Sequence, residues 1–181
     1  VVGAMNPCPC GHLGASGDSC RCTLDRIRRY RARISGPLLD RFDLHVRVDP
    51  VSLDQLRGPP AESSERVRER VVRARALQRD RLRREGGIET NAEIGIRGLR
   101  RHAAASPQTA ALIQRAHERL GFSARGYHRI LRVARTLADL EGAERIAPAH
   151  AAEALQLREL DRPIRPSEGG AVDGSLARLE Q

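Results

Sequence analysis

The stretch Ser35-Gly36-Pro37-Leu38-Leu39-Asp40-Arg41-Phe42-Asp43 sets one arginine between two aspartates immediately before a run of regular alternation. That run carries Phe42, Leu44, Val46 and Val48 on one side and Asp43, His45, Arg47 and Asp49 on the other. A period of two predicts a β-strand with one apolar face. Arg41 stands at its entry as a candidate phosphate-contacting group, because a guanidinium is always charged and presents a planar fork of donors. The alternative is a local ion pair of Arg41 with Asp40 or Asp43.

Upstream, Val1-Val2-Gly3-Ala4-Met5 reads as a central strand already under way that ends at Asn6-Pro7, so the chain is expected to be a fragment. Residues 7 to 22 form a loop rich in Gly and Cys. Thr23 caps a short helix with Ile27, Tyr30 and Ile34 on its apolar side, and Gly36-Pro37 ends it. Downstream, residues 50 to 64 read as a linker of turn residues around Gly58-Pro59-Pro60.

Beyond this boundary the apolar period changes from 2 to 3.6. Ser63 or Ser64 opens a helix with Val67, Val71, Ala74 and Leu77 inward, closed by Gly86-Gly87. Thr90 and Glu93 have capping-box spacing ahead of a weaker helical stretch to about Ala104. Ser106-Pro107 starts a helix with Leu112, Ile113, Ala116 and Leu120 apolar, ended by Gly121. Ser123 caps a further helix whose inward residues are Tyr127, Ile130, Leu131, Ala134, Leu137 and Leu140, ended by Gly142; Pro148 begins another that reaches about Leu160. The expected organisation is an α/β part over 1–50, a linker over 51–61, a helical bundle over 62–160 and a disordered tail over 161–181.

All 32 basic residues are arginine and none is lysine, which removes any Walker A loop from this chain, since that motif needs a lysine. The net charge of +9 favours polyanions. A compositional preference for arginine inflates that number, and with only Tyr30, Phe42, Phe122 and Tyr127 as aromatics, nucleic-acid contact is expected mainly through phosphates. No apolar stretch approaches membrane-spanning length, and the expectation is a cytoplasmic protein without a membrane partner.

Cys8-Pro9-Cys10 and Cys20-Arg21-Cys22 are two Cys-x-Cys pairs, and the chain has no other cysteine. Four thiolates grouped in a polar loop suit one structural Zn2+, while free thiols or disulfides are the alternatives and His12 is a spare ligand. Asn6, at the end of the expected first strand, sits where open α/β sheets place ligand-contacting groups; the alternative is an Asn-Pro turn. Arg125, Arg129 and Arg132 share a helix face, and Arg125 in the first turn opposes the macrodipole unless an anion meets it. A solvated face is the alternative for each. His102, His117, His128 and His150 read as surface or boundary residues. Glu65, Glu69, Asp80 and Glu85 among the arginines of 66 to 84 point to an ion-paired face.

Taken in order, Ala4-Met5-Asn6-Pro7-Cys8-Pro9-Cys10-Gly11, Cys20-Arg21-Cys22, Arg28-Arg29-Tyr30, the stretch from Ser35 to Asp43, and Ser123-Ala124-Arg125-Gly126-Tyr127-His128-Arg129-Ile130-Leu131 through Asp139-Leu140-Glu141-Gly142 resemble the ComM/YifB group of magnesium-chelatase-like AAA+ ATPases. The resemblance covers about residues 1 to 160. It implies that Asn6 is sensor 1, Arg41 the arginine finger that reaches a neighbouring subunit's nucleotide, and Arg125 the sensor 2 arginine of a helical lid, with Arg129 a further nucleotide-binding candidate. The implied whole is a homo-oligomeric ring, a hexamer, that uses ATP and Mg2+ to move on DNA during integration of transforming DNA. Two other readings stand beside it: a magnesium-chelatase I-type ATPase that remodels a protein partner, and a non-enzymatic zinc-stapled nucleic-acid binder. Without Walker A and Walker B, this chain alone is expected neither to bind ATP well nor to hydrolyse it.

Overall fold

The computed structural model describes residues 1–14, 19–49 and 51–158. The tail expected over 161–181 lies outside these residues. Eight α-helices carry the architecture among the described residues: α1 (Leu24–Arg31), α2 (Gly36–Leu39), α3 (Leu53–Arg57), α4 (Ser64–Leu82), α5 (Ile96–His102), α6 (Pro107–Leu120), α7 (Ala124–Glu141) and α8 (Pro148–Gln156), with a 3-10 turn at Asn91–Glu93.

The helix starts follow local chemistry. The hydroxyls of Thr23, Ser63, Ser106 and Ser123 each accept a backbone N–H of the first turn, at 3.3, 3.4, 3.2 and 3.1 Å. Thr90 and Glu93 form the expected capping box, with Glu93 Oε2 accepting from the Thr90 backbone N–H at 3.0 Å. Gly121 and Gly142 end α6 and α7 in the left-handed region, at φ 64 and 75.

Helix α7 is the centre of the bundle. It packs on α4, α5, α8 and the 3-10 turn, while α6 packs on α8. Ile94, Leu99, Leu112, Ile113, Phe122, Ile130, Leu131, Ala134, Ile146 and Leu155 form one apolar cluster in the middle. Beside it runs a buried polar network. Asp139 accepts from Arg81 Nη1 and Nη2 at 2.7 and 2.6 Å, from Arg135 Nε at 3.0 Å and from Asn91 Nδ2 at 2.8 Å. Arg135 also donates to the carbonyls of Glu144 at 2.8 Å and Ala143 at 2.5 Å. Burial pushes the Arg135 guanidinium below its ordinary pKa, Asp139 holds it up, and Arg81 opposes that. One carboxylate thus joins α4, the 3-10 turn and α7.

Several sequence expectations are corrected. Residues 1–6 form no strand and are exposed, and the run 42–49 makes only an isolated parallel bridge, His45 to Arg158. Nor is the apolar side the buried one: His45 is the buried residue of the run, Phe42 is half-buried, and Leu44, Val46 and Val48 are 48, 67 and 86% exposed. Alternation says which residues share a face, but a strand persists only where a neighbour takes up its backbone hydrogen bonds, and among the described residues this run meets one only at His45. The α/β part is therefore not seen as a sheet. Gly36-Pro37 opens α2 instead of ending α1, as proline suits a first helical turn. The linker contains α3, with a capping box between Ser52 and Gln55. On α4, Ala74 is buried with Gln78 and Leu82, but Val67, Val71 and Leu77 are not, because only the C-terminal half of the helix meets α7. Tyr127 and Leu140 are about two-fifths exposed at the ends of α7, and α8 stops at Gln156.

Replacing Asp139 by Ala leaves two guanidiniums without their anion, and the unfolding free energy in urea is expected to drop by about 3–5 kcal/mol. Arg70→Ala, which removes the exposed pair with Glu62, is expected to cost under about 1 kcal/mol. Equal effects would show that the buried network does not hold the bundle.

Candidate functional site

The four thiols converge. Sγ of Cys8 is 3.3 Å from that of Cys10 and 3.8 Å from that of Cys20, and Cys10 is 3.7 Å from Cys20. All four sulfurs lie within 4.8 Å of one another. Tetrahedral coordination with bonds of about 2.3 Å places sulfurs about 3.8 Å apart, whereas a disulfide needs about 2.05 Å. The cysteines are free of disulfides and spaced for one shared ion. Two short backbone arcs, around Cys8–Cys10 and Cys20–Cys22, supply them, and the Gly11 N–H donates to the Cys8 carbonyl at 3.0 Å to turn the first arc. The thiols are electrostatically unequal. A hydrogen bond from the backbone of His12, helped by Cys8, lowers the Cys10 pKa to about 6. The backbone of Cys22 pulls Cys20 down, but burial and the neighbouring thiols Cys10 and Cys8 together raise it to about 11. Burial raises Cys22 too. A cation among them reverses this logic by favouring every thiolate.

The second site is the segment around Arg41. It follows directly on α2, and the exposed Arg41 side chain folds back so that Nη1 donates to the Pro37 carbonyl at 2.7 Å. Neither flanking aspartate pairs with it. Asp40 faces Arg158, with Oδ1 3.9 Å from Nη2, and Asp43 pairs with Arg129 of α7. Arg158 is buried to 2% exposure and donates Nη1 to the Phe42 carbonyl at 2.6 Å. The backbone adds a bond from His45 N to the Leu157 carbonyl at 2.7 Å.

The other candidates are dispersed. Asn6 is exposed in the N-terminal segment beside Gly11. Of the three arginines singled out on α7, Arg132 donates Nε and Nη2 to the Ile94 carbonyl at 3.0 and 2.7 Å, and Arg129 takes Asp43. Arg125 is exposed and has no hydrogen-bond or ion-pair partner among the described residues. The structure joins neither Asn6 nor Arg125 to Arg41 by such a bond among the described residues. Sequence reasoning missed Arg158, for which one cation after a helix gives no signal. It also missed Arg135 and Asp139, whose i,i+4 spacing beside Leu131, Ala134 and Ala138 was a readable sign of an inward ion pair.

Residues 61–158 match the family model described as Magnesium chelatase, subunit ChlI C-terminal, and residues 1–56 match that described as Magnesium chelatase, subunit ChlI. The chain belongs to the magnesium-chelatase ChlI family. Within this family it stands with the ComM/YifB group. It is 40% identical over 167 residues to Competence protein ComM of Haemophilus influenzae, covering 91% of this chain and 31% of that protein. It is 35% identical over 164 residues to a YifB protein of Salmonella typhimurium, and 36% identical over 164 residues to that of Escherichia coli, in each case covering 90% of this chain and 31% of the relative. The chain thus spans under a third of the curated relatives it matches. In this magnesium-chelatase-like chain the thiol cluster and the Arg41 segment both fall in the first matched region, while Arg125, Arg129 and Arg158 fall in the second. No helix among the described residues is long and apolar enough to cross a membrane.

Structural zinc binds with about 10–16 kcal/mol spread over four ligands, so losing one ligand is expected to weaken the site by roughly a hundredfold or more. Cadmium titration of the reduced protein reads this directly through thiolate-to-metal absorbance. One ion per chain, and the weakening in Cys20→Ser, are the expected results; absorbance that is unaffected by Cys20→Ser would mean that the four sulfurs do not act together.

Proposed function

We propose that this chain is the sensor, arginine-finger and lid portion of a ring-forming AAA+ ATPase that acts on DNA. In this reading residues 1–50 are the end of the nucleotide-binding core, 51–61 a linker and 62–160 the lid. Asn6 is sensor 1 and orients a water against the γ-phosphate. Arg41 reaches the nucleotide of the adjacent protomer and stabilises charge on the transferring phosphoryl group. Arg125 is sensor 2, the one member of its trio left unengaged among the described residues. ATP and Mg2+ belong to the complete site.

The observation that carries the proposal is the environment of Arg41. Its guanidinium is exposed, and the two carboxylates best placed to neutralise it are turned to Arg158 and Arg129. A local ion pair would have consumed it. Zn2+ suits the four thiols, where a filled tetrahedron leaves no open position, so the ion stiffens the loop and carries no chemistry. DNA as partner is supported by the charge of +9 and by the relative named as a competence protein.

A second reading follows from the family descriptions, which name magnesium chelatase: an ATPase of chelatase I type that remodels a protein. DNA separates the two. ATP hydrolysis by the complete gene product is expected to rise on adding DNA, and a rate indifferent to DNA would favour the second reading. Arg41→Ala in the same protein is expected to lower kcat by roughly 10³-fold or more while ATP affinity stays near that of the parent. Loss of ATP binding instead would place Arg41 in its own subunit's site.

A further inference from the structure

We infer that Arg129 and Arg158 are positioning residues for Arg41, and that Arg129 acts by holding Asp43 instead of contacting nucleotide. This rests on the arginine-finger reading of Arg41.

The segment on either side of Arg41 has no sheet to hold it among the described residues, because the run that follows makes a single bridge and exposes its valines. What fixes it comes from the helical half of the chain. On one side, Arg158 is buried, donates to the Phe42 carbonyl at 2.6 Å and faces Asp40 at 3.9 Å. On the other, Arg129 pairs with Asp43 through a charge-assisted hydrogen bond. The His45 N–H to Leu157 bond, at 2.7 Å, fastens the chain just beyond. Arg41 therefore projects from a four-residue stretch clamped at both ends, and the only hydrogen bond of its side chain among the described residues is to the Pro37 carbonyl one turn back.

Two consequences follow. The aspartates beside Arg41 serve as handles for other arginines, which both spares Arg41 from neutralisation and sets its direction. Arg129 lies one helical turn after Arg125 on α7, so a shift of that helix when Arg125 meets an anion moves Asp43, and with it the base of Arg41. A group displaced by about 1 Å from its productive position loses on the order of 10²-fold in rate. The loss falls on turnover, because an arginine that acts on the neighbour's nucleotide does not hold its own subunit's ATP.

The test uses the complete gene product, with steady-state ATP hydrolysis and equilibrium binding of a fluorescent ATP analogue measured separately. Asp43→Ala and Arg129→Ala are each expected to lower kcat by about 10- to 100-fold with KM and analogue affinity unchanged. Arg129→Lys is expected to recover part of the rate. The charge reversals Asp43→Arg and Arg129→Asp are expected to be slow singly and faster when combined, with analogue affinity and the urea unfolding midpoint near the parent's in all three, which separates positioning from a fold defect. A rise in KM and weakened analogue binding in Arg129→Ala, with Asp43→Ala unaffected, would make Arg129 a phosphate ligand and overturn the inference. So would a combined reversal no faster than its slower parent, or unaltered kcat in both alanine variants. Arg41→Ala distinguishes the levels: if it turns over normally the finger itself is wrong, whereas a dead Arg41→Ala beside a normal Arg129→Ala sinks only the clamp.

Discussion

A single buried carboxylate, Asp139, with the two guanidiniums of Arg81 and Arg135 upon it, is the constraint on which the helical half of the molecule depends. Ionised groups at 2% exposure are tolerable only when paired and hydrogen-bonded, and here one anion faces two cations. The surplus positive charge is met in two ways. Arg135 reaches the carbonyls of Ala143 and Glu144 in the turn that leaves α7, where the negative end of the helix dipole also lies. Arg81 keeps about a fifth of its side chain in solvent. Asn91 closes the set by donating to both Thr136 and Asp139 while accepting from Arg81. Apolar packing alone would permit α4 to slide or rotate on α7; this network allows one register.

The first fifty residues are organised by a different principle. They contribute little to the apolar core, with Cys8, Ile27 and His45 the buried members of that stretch among the described residues. Arginines from the helical half reach across to backbone carbonyls and aspartates and take the place of a sheet. Guanidinium suits this because one planar group can serve a carbonyl and a carboxylate together, as Arg158 does with Phe42 and Asp40. The arginine-only basic complement, which reads in the sequence as bias, thus supplies structural donors as well as surface charge.

The thiol cluster answers another shortage. Residues 7–14 and 19–23 contain few apolar side chains, and Cys8 is the one fully buried residue among them. A shared ion joins the two arcs where hydrophobic burial is too small to do so. The His12 backbone lowers Cys10 to about 6, while at Cys20 the pull of the Cys22 backbone is outweighed by burial and the thiols of Cys10 and Cys8, which raise it to about 11, so the thiols are unequal until a cation favours every thiolate.

Local rules in the chain determined the helices from α4 to α8. Capping hydroxyls at Ser63, Ser106 and Ser123, the Thr90–Glu93 box and the glycines at 121 and 142 act over a few residues, so their reading needs no knowledge of the fold. The cysteine pairs were legible for the same reason, since ligand type and spacing are written in the chain. The tertiary structure alone decided which faces are buried and which charges meet. Val67, Val71, Val46 and Val48 obey a perfect period yet stay exposed, because burial requires a neighbour that periodicity does not name. Asp43 meets Arg129 and Phe42 meets Arg158 across 86 and 116 residues of chain, pairings that no local pattern encodes and that only the docking of α7 and α8 brings together.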